Sequence, residues 1–208
     1  MKARRVVTCH DAASKSVFAS DSIVEPDSVP KLGFEFLKLW GADRPATFPD
    51  NGSPTTCSDY FPPRGGHRFG IFTIPAAPVA RMTRDERPAA YARMEELFPG
   101  LLAHMEPANP GMHTSDSIDF GYVISGSIWL ELDDGSTREL RAGDTYVQNG
   151  TRHAWRNRSS EPCSLLVTLI GVRREPSGLS VAKGSVPHTE TPTTADGREH
   201  GQGTGSAS

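Results

Sequence analysis

The sequence predicts an all-β fold, an antiparallel sandwich or barrel, with an irregular N-terminal strand layer, one helix and a disordered C-terminal tail. Three observations predict it. Short strand-like runs bounded by turn residues crowd into residues 111–172. No helical periodicity interrupts them, so the alternating order of a parallel α/β sheet is excluded. After residue 175 large apolar side chains nearly vanish, and such a segment cannot offset its ordering entropy.

Each element has its own signal. Arg5–Thr8, Val17–Ala19 and Phe34–Leu39 read as short strands, followed by a Pro-, Gly-, Ser- and Thr-rich stretch over 42–66. Residues 67–75, HRFGIFTIP, read as a strand that ends at Pro75. A helix follows within 84–104. Thr83 and Glu86 have capping-box spacing and Pro88 suits a first turn, which leaves two starts open; Pro99-Gly100 ends or kinks the helix. Tyr91, Met94, Leu97 and Phe98 recur at helical spacing and read as core. Six strands come next: Ile118–Ser125, Ile128–Leu132, Glu139–Arg141, Thr145–Gln148, Arg152–Asn157 and Leu165–Gly171. Ser125-Gly126 and Asp133-Asp134-Gly135 read as hairpin turns. The organisation is an N-terminal arm with extra strands (1–80), a helix plus barrel (81–173) and a tail (174–208).

Composition narrows the function. The chain has 208 residues and a formal net charge of −3, without a Lys/Arg-rich block, so a nucleic-acid surface has no electrostatic basis. No apolar run approaches the ~18 residues of a membrane span. The first residues carry no apolar h-region, so a secretory signal is not expected and the expectation is a cytoplasmic protein. Cys9, Cys57 and Cys163 are odd in number and widely spread, which argues against a disulfide framework or a zinc ribbon. Cys163, beside an apolar run, reads as a buried small hydrophobe.

Three side chains in or beside the strand block are chemically odd: His113, Asp119 and His153. Residues two apart on a strand share a face, so His153 points with Trp155 and Asn157, and Asp119 points with Gly121, Val123 and Ser125. A carboxylate among buried strands is costly unless it is paired or binds a cation. Two imidazoles and a carboxylate are also the ligand set of a facial triad with open coordination positions. The bland alternatives are hydrogen-bonded histidines, and an Asp119 that caps a turn or pairs with Arg152 or Arg156. Asp116 is a rival carboxylate. Trp155 is a pocket wall or a core aromatic, and the Asn157 amide ties down a strand end.

These residues resemble the cupin superfamily of small jelly-roll barrels. Its first motif runs His-x-His, three or four residues, Glu, six residues, Gly; here His113-Thr-Ser115 precedes three residues, Asp119, six residues and Gly126. The second motif matches from Gly143 through Gly150-x-x-His153 to Asn157. The chain departs from the pattern in four places: Ser115 replaces the second His, Asp119 replaces Glu, Gln148 stands at the proline position, and the interval from Gly143 to His153 is one residue short. The run from His113 to Asp119, together with GYVISGSIWLELDDG and GTRHAWRN, is similar to a subgroup of bacterial and fungal cupins. The opening Arg-Arg-Val-Val-Thr-x-His-Asp resembles the start of that subgroup. Some fungal members belong to polyketide pathways and are described as cupin-domain oxidoreductases.

The resemblance implies a double-stranded β-helix, a homodimer, and a divalent metal (iron, manganese, zinc or nickel) on His113, Asp119 and His153. The leading expectation is a metal-dependent enzyme, an oxidoreductase or a lyase/isomerase, acting on a small organic molecule. The alternative is a metal-free dehydratase or isomerase in which a histidine is the base and Asp119 orients it. A non-catalytic binding barrel is the third reading.

Overall fold

The computed structural model describes residues 1–29, 32–76 and 83–175. From residue 176 onward the tail, with its expected disorder, lies outside these residues. The strands are β1 (Ala3–His10), β2 (Ser16–Val24), β3 (Asp27–Val29), β4 (Phe34–Ala42), β5 (His67–Ile74), β6 (Ser117–Ser125), β7 (Ser127–Leu132), β8 (Thr137–Arg141), β9 (Thr145–Gln148), β10 (His153–Arg156) and β11 (Cys163–Gly171). The helices are α1 (Arg87–Leu97) and α2 (Leu101–His104). A six-stranded sheet in the order β3-β4-β5-β11-β6-β9 and a three-stranded sheet in the order β10-β7-β8 build the double-stranded β-helix, and β1-β2 forms a separate hairpin.

Pattern explains position. Along β6 the burial alternates: Ser117, Asp119, Gly121 and Val123 are buried, while Phe120 and Tyr122 are exposed. Strand β11 reads as a near-continuous apolar run because both its faces are used. Leu165, Val167 and Leu169 face inward, whereas Leu166 packs outside with Leu37, Leu39 and Ile71. The β1-β2 hairpin covers that outer cluster with Ala3 and Val24. Cys163 is fully buried beside Val123 and Ile128.

Two readings need correction. Ser125-Gly126 does not close a hairpin. Both edges of β6 are already taken by β11 and β9, so the chain turns at Gly126 (φ +76°) and enters the smaller sheet as β7. Tyr91, expected in the core, is 46% exposed, while its neighbours Met94, Leu97 and Phe98 are buried against Phe36, Val167 and Leu169. The short strand β3 was not legible, since three residues carry no alternation. Of the two helix starts, the one at Pro88 is realised, with Glu86 as the N-cap. The Thr83 N–H donates to Glu86 Oε2 (3.0 Å) ahead of the helix, and Pro88 sits in the first turn. The break falls at Pro99 and the left-handed Gly100.

Asn157 ties the end of β10 as expected. Its Nδ2 donates to Glu161 O (2.8 Å) and Ile74 O (3.3 Å), and its Oδ1 accepts from Ser159 N and Oγ. Asn157→Ala is expected to cost about 1–2 kcal/mol, since it removes these bonds and leaves backbone groups unpaired. A thermal melt checks this: an unchanged midpoint would show that solvent replaces the amide without penalty.

Candidate functional site

The site forms where the segment before β6 meets the start of β10. His113 and His153 exchange backbone hydrogen bonds, each N–H donating to the other's carbonyl at 2.9 Å. This single bridge brings the two rings to a centroid separation of 4.3 Å. Both rings are anchored alike: Nδ1 of His113 lies 3.0 Å from Gly111 O, and Nδ1 of His153 lies 2.9 Å from Thr151 O. A carbonyl only accepts, so each Nδ1 carries the proton and each Nε2 keeps its lone pair. Burial pushes both imidazole pKa values down, that of His153 to about 4, with the neighbouring His113 adding to the effect. Both rings are therefore neutral bases at pH 7.

Asp119 projects from β6 into the same interior and is 8% exposed. Its Oδ1 accepts from Ser117 Oγ at 2.6 Å, and Ser117 Oγ is 2.9 Å from Ser115 Oγ. Asp119 makes no ion pair among the described residues. Burial pushes its carboxyl up to about 6, against the hydrogen bond from Ser117. The role of orienting a histidine, expected of Asp119, falls instead to the backbone carbonyls. The arginines considered as partners are engaged elsewhere: Arg152 with Glu106 and Asp133, Arg156 with Glu131. Asp116 is exposed and pairs with Arg174. Ser115, which stands at the position of the motif's second histidine, is buried.

All three residues line one cavity of about 650 Å³, within the range of drug-sized ligand sites. Its walls are mostly apolar, with Trp155, Phe61 and Phe72 among them. Tyr60, Tyr146, Glu106 and Arg156 add polar groups to the wall, and the two tyrosines escaped the sequence reading. Burial pushes both phenol pKa values up and the nearby Asp119 adds to this, so both hydroxyls stay protonated. A signal for Tyr146 existed. Gly121 sits mid-strand on the Asp119 face, and a Cβ there would overlap the Tyr146 ring. Gly121→Ala is expected to cost on the order of 1 kcal/mol by overpacking and to shift Tyr146. A drop in ligand affinity in Gly121→Ala, matched by a smaller drop in Tyr146→Phe, checks the placement.

A metal needs converging donors. The two free Nε2 atoms qualify, but among the described residues no three His, Cys, Asp or Glu side chains come together as a group that could hold an ion. The three-ligand set implied by the resemblance is therefore not assembled here, and no step is routed through a metal. Among the described residues no helix is long and apolar enough to cross a membrane.

Comparison with known proteins agrees with this architecture. The family model for the cupin domain matches residues 101–169. Phomopsin biosynthesis cluster protein D of Diaporthe leptostromiformis is 35% identical over 167 residues, spanning 74% of this chain and 70% of that protein. The cupin-domain-containing oxidoreductase fogC of Aspergillus ruber is 29% identical over 155 residues, spanning 74% and 63%. Among solved structures, the polyketide cyclase RemF of Streptomyces resistomycificus aligns with a TM-score of 0.38 and 18% identity, over 70% of this chain and 72% of that one. Both histidines of the site lie inside the matched domain, and with a relative of this identity spanned over most of its length, the chain belongs to the cupin family.

Proposed function

We propose that the chain is an enzyme of secondary metabolism that moves protons on a small, neutral, largely apolar carbonyl compound bound in the barrel. The observation that carries this reading is the shared anchoring of His113 and His153. Nδ1 is spent on a backbone carbonyl in each, so Nε2 is the basic atom at the wall of the cavity. The mostly apolar walls favour a substrate with little charge. Below about pH 6, where Asp119 is protonated, the substrate carbonyl would take hydrogen bonds from it and from a phenol, which stabilise the enolate-like oxygen as the base removes the α proton. The names of the fungal relatives place them in biosynthetic clusters and among oxidoreductases, which supports secondary metabolism as the setting. A metal-dependent oxidoreductase is the second reading, favoured by the two Nε2 atoms left free; it needs a third donor from outside the described group.

One experiment separates them. The full chain, purified without chelator, is analysed for metal and then incubated with 2-tetralone in deuterium oxide. Deuterium uptake above the buffer rate that survives chelator treatment is expected. Uptake lost on removal of a stoichiometric metal would replace the metal-free base with metal-assisted enolisation, and stoichiometric metal without uptake would favour the second reading. Absence of both metal and exchange would overturn catalysis on this class of ketone.

A further inference from the structure

A second cavity of about 320 Å³ lies on the other side of Tyr60, which lines both. Its polar lining is unbalanced: Arg5, Lys38 and Arg68 against the single carboxylate of Asp59. Two of the three cations are accounted for. Arg68 is held by Asp43 and by the carbonyls of Ala42, His67 and Asp59. Lys38 is half exposed and lies 3.4 Å from Asp27.

Arg5 is different. It comes from the Arg-Arg of the opening motif, on a hairpin strand that the catalytic reading does not use. Its guanidinium lies 5.6 Å from the ring centroid of Trp40, and one terminal nitrogen donates to Leu39 O (2.9 Å). Its Nε is sealed from solvent without a hydrogen-bond partner, and Arg5 makes no ion pair among the described residues, with Asp59 or any other. A partly buried cation without a counter-ion, and with an orphaned donor, carries a desolvation cost that a bound anion would remove. A carboxylate meets the Nε edge of a guanidinium bidentately; here that edge is closed to solvent, so it takes a carboxylate once the group pivots on the face of Trp40.

We propose that this cavity binds a small organic carboxylate with a flat apolar body, its head on Arg5 and its body against Trp40 and Phe69. Binding turns the Nε edge of Arg5 toward the carboxylate and leaves the guanidinium on the indole. The site is separate from the histidine pair, so the two cavities can be tested apart.

The test is calorimetric titration of the full chain with 2-naphthoate, with the neutral 2-naphthalenemethanol and inorganic phosphate as controls. Naphthoate is expected to bind more tightly than either control. Arg5→Met should weaken naphthoate at least tenfold and leave the alcohol unchanged. Arg5→Lys, which keeps the charge without the fork, should fall in between and serves as the readable variant if Arg5→Met does not fold. His153→Ala should leave naphthoate unaffected. Equal naphthoate affinity in wild type and both Arg5 variants, or loss of binding in His153→Ala, would overturn the assignment. So would phosphate binding as tightly as naphthoate, because the apolar body would then contribute nothing.

Discussion

Replacing His153 with Ala is expected to lower enzyme-dependent exchange by roughly 10²–10⁴-fold, the usual contribution of a positioned general base. His153 is the more buried of the pair, at 2% exposed, and its Nδ1–H is fixed on Thr151 O. The truncation also opens a hole between Trp155 and His113, whose ring centroids lie 5.9 and 4.3 Å away. His153→Gln removes that ambiguity. Its amide can still donate to the carbonyl of Thr151 and fills most of the volume, but it has no basic nitrogen. Equal losses in the two variants identify a base; activity retained in His153→Gln would reduce the residue to a packing role. The pH profile gives an independent check. The imidazole, depressed to about 4, is neutral above that pH, and the carboxyl of Asp119, raised to about 6, is protonated below that one. Exchange should therefore peak between about 4 and 6 and decline above, and a profile still rising at pH 8 would contradict the acid role of Asp119.

How much of this could be read from the chain depends on which forces are local. Face arithmetic placed His153 with Trp155 and Asp119 with Val123, and the structure keeps both pairings, because strand periodicity depends on nothing beyond the strand. The turn at Ser125-Gly126 was misread for the opposite reason. A turn residue announces a reversal, but which strand fills the free edge is decided by β9 and β11, which begin 19 and 37 residues after Gly126. Tyr60 was invisible because it sits in a Pro-rich loop without period, and only the packing of α1 and β5 around it makes it a cavity wall. The His–Asp relation was overestimated. The motif order brings the three residues to one interior, but whether a carboxylate faces an imidazole or a serine is a matter of side-chain geometry. Ser115 and Ser117, filling the space beneath Asp119, decide it for the serine.

Asp119→Asn should make the protein more stable at pH 7 and alter its activity at the same time. The sign follows from the shift. The carboxyl titrates at about 6 in the folded chain against 3.8 ordinarily, so folding favours the neutral form. Below about pH 4 both states hold the proton and the residue costs nothing. As pH rises through that point the unfolded chain ionises first, and folding is progressively disfavoured until the folded carboxyl also ionises near 6. Above that the burden is constant, and a shift of about two units corresponds to at most about 3 kcal/mol. Asparagine removes the charge while its carbonyl still accepts from Ser117, so the variant should gain up to that amount at pH 7 and match the wild type at pH 4. His153 works against this trend in both proteins: its depressed pKa gives stability that is present above 6.5 and lost as pH falls toward 4. Only the difference between the two proteins therefore reports on Asp119. Denaturant midpoints across pH 4–7 give it directly, and a difference that stays flat would mean that solvent or a partner already relieves the buried charge. In activity, the amide donates a hydrogen bond at every pH, so the fall in exchange above pH 6 should disappear in Asp119→Asn while the lower limb, set by the imidazole, remains. A gain in stability together with the loss of one pH limb is hard to produce by any route other than a buried carboxyl whose charged form is disfavoured, because a purely structural aspartate would lose stability on substitution and leave the profile unchanged.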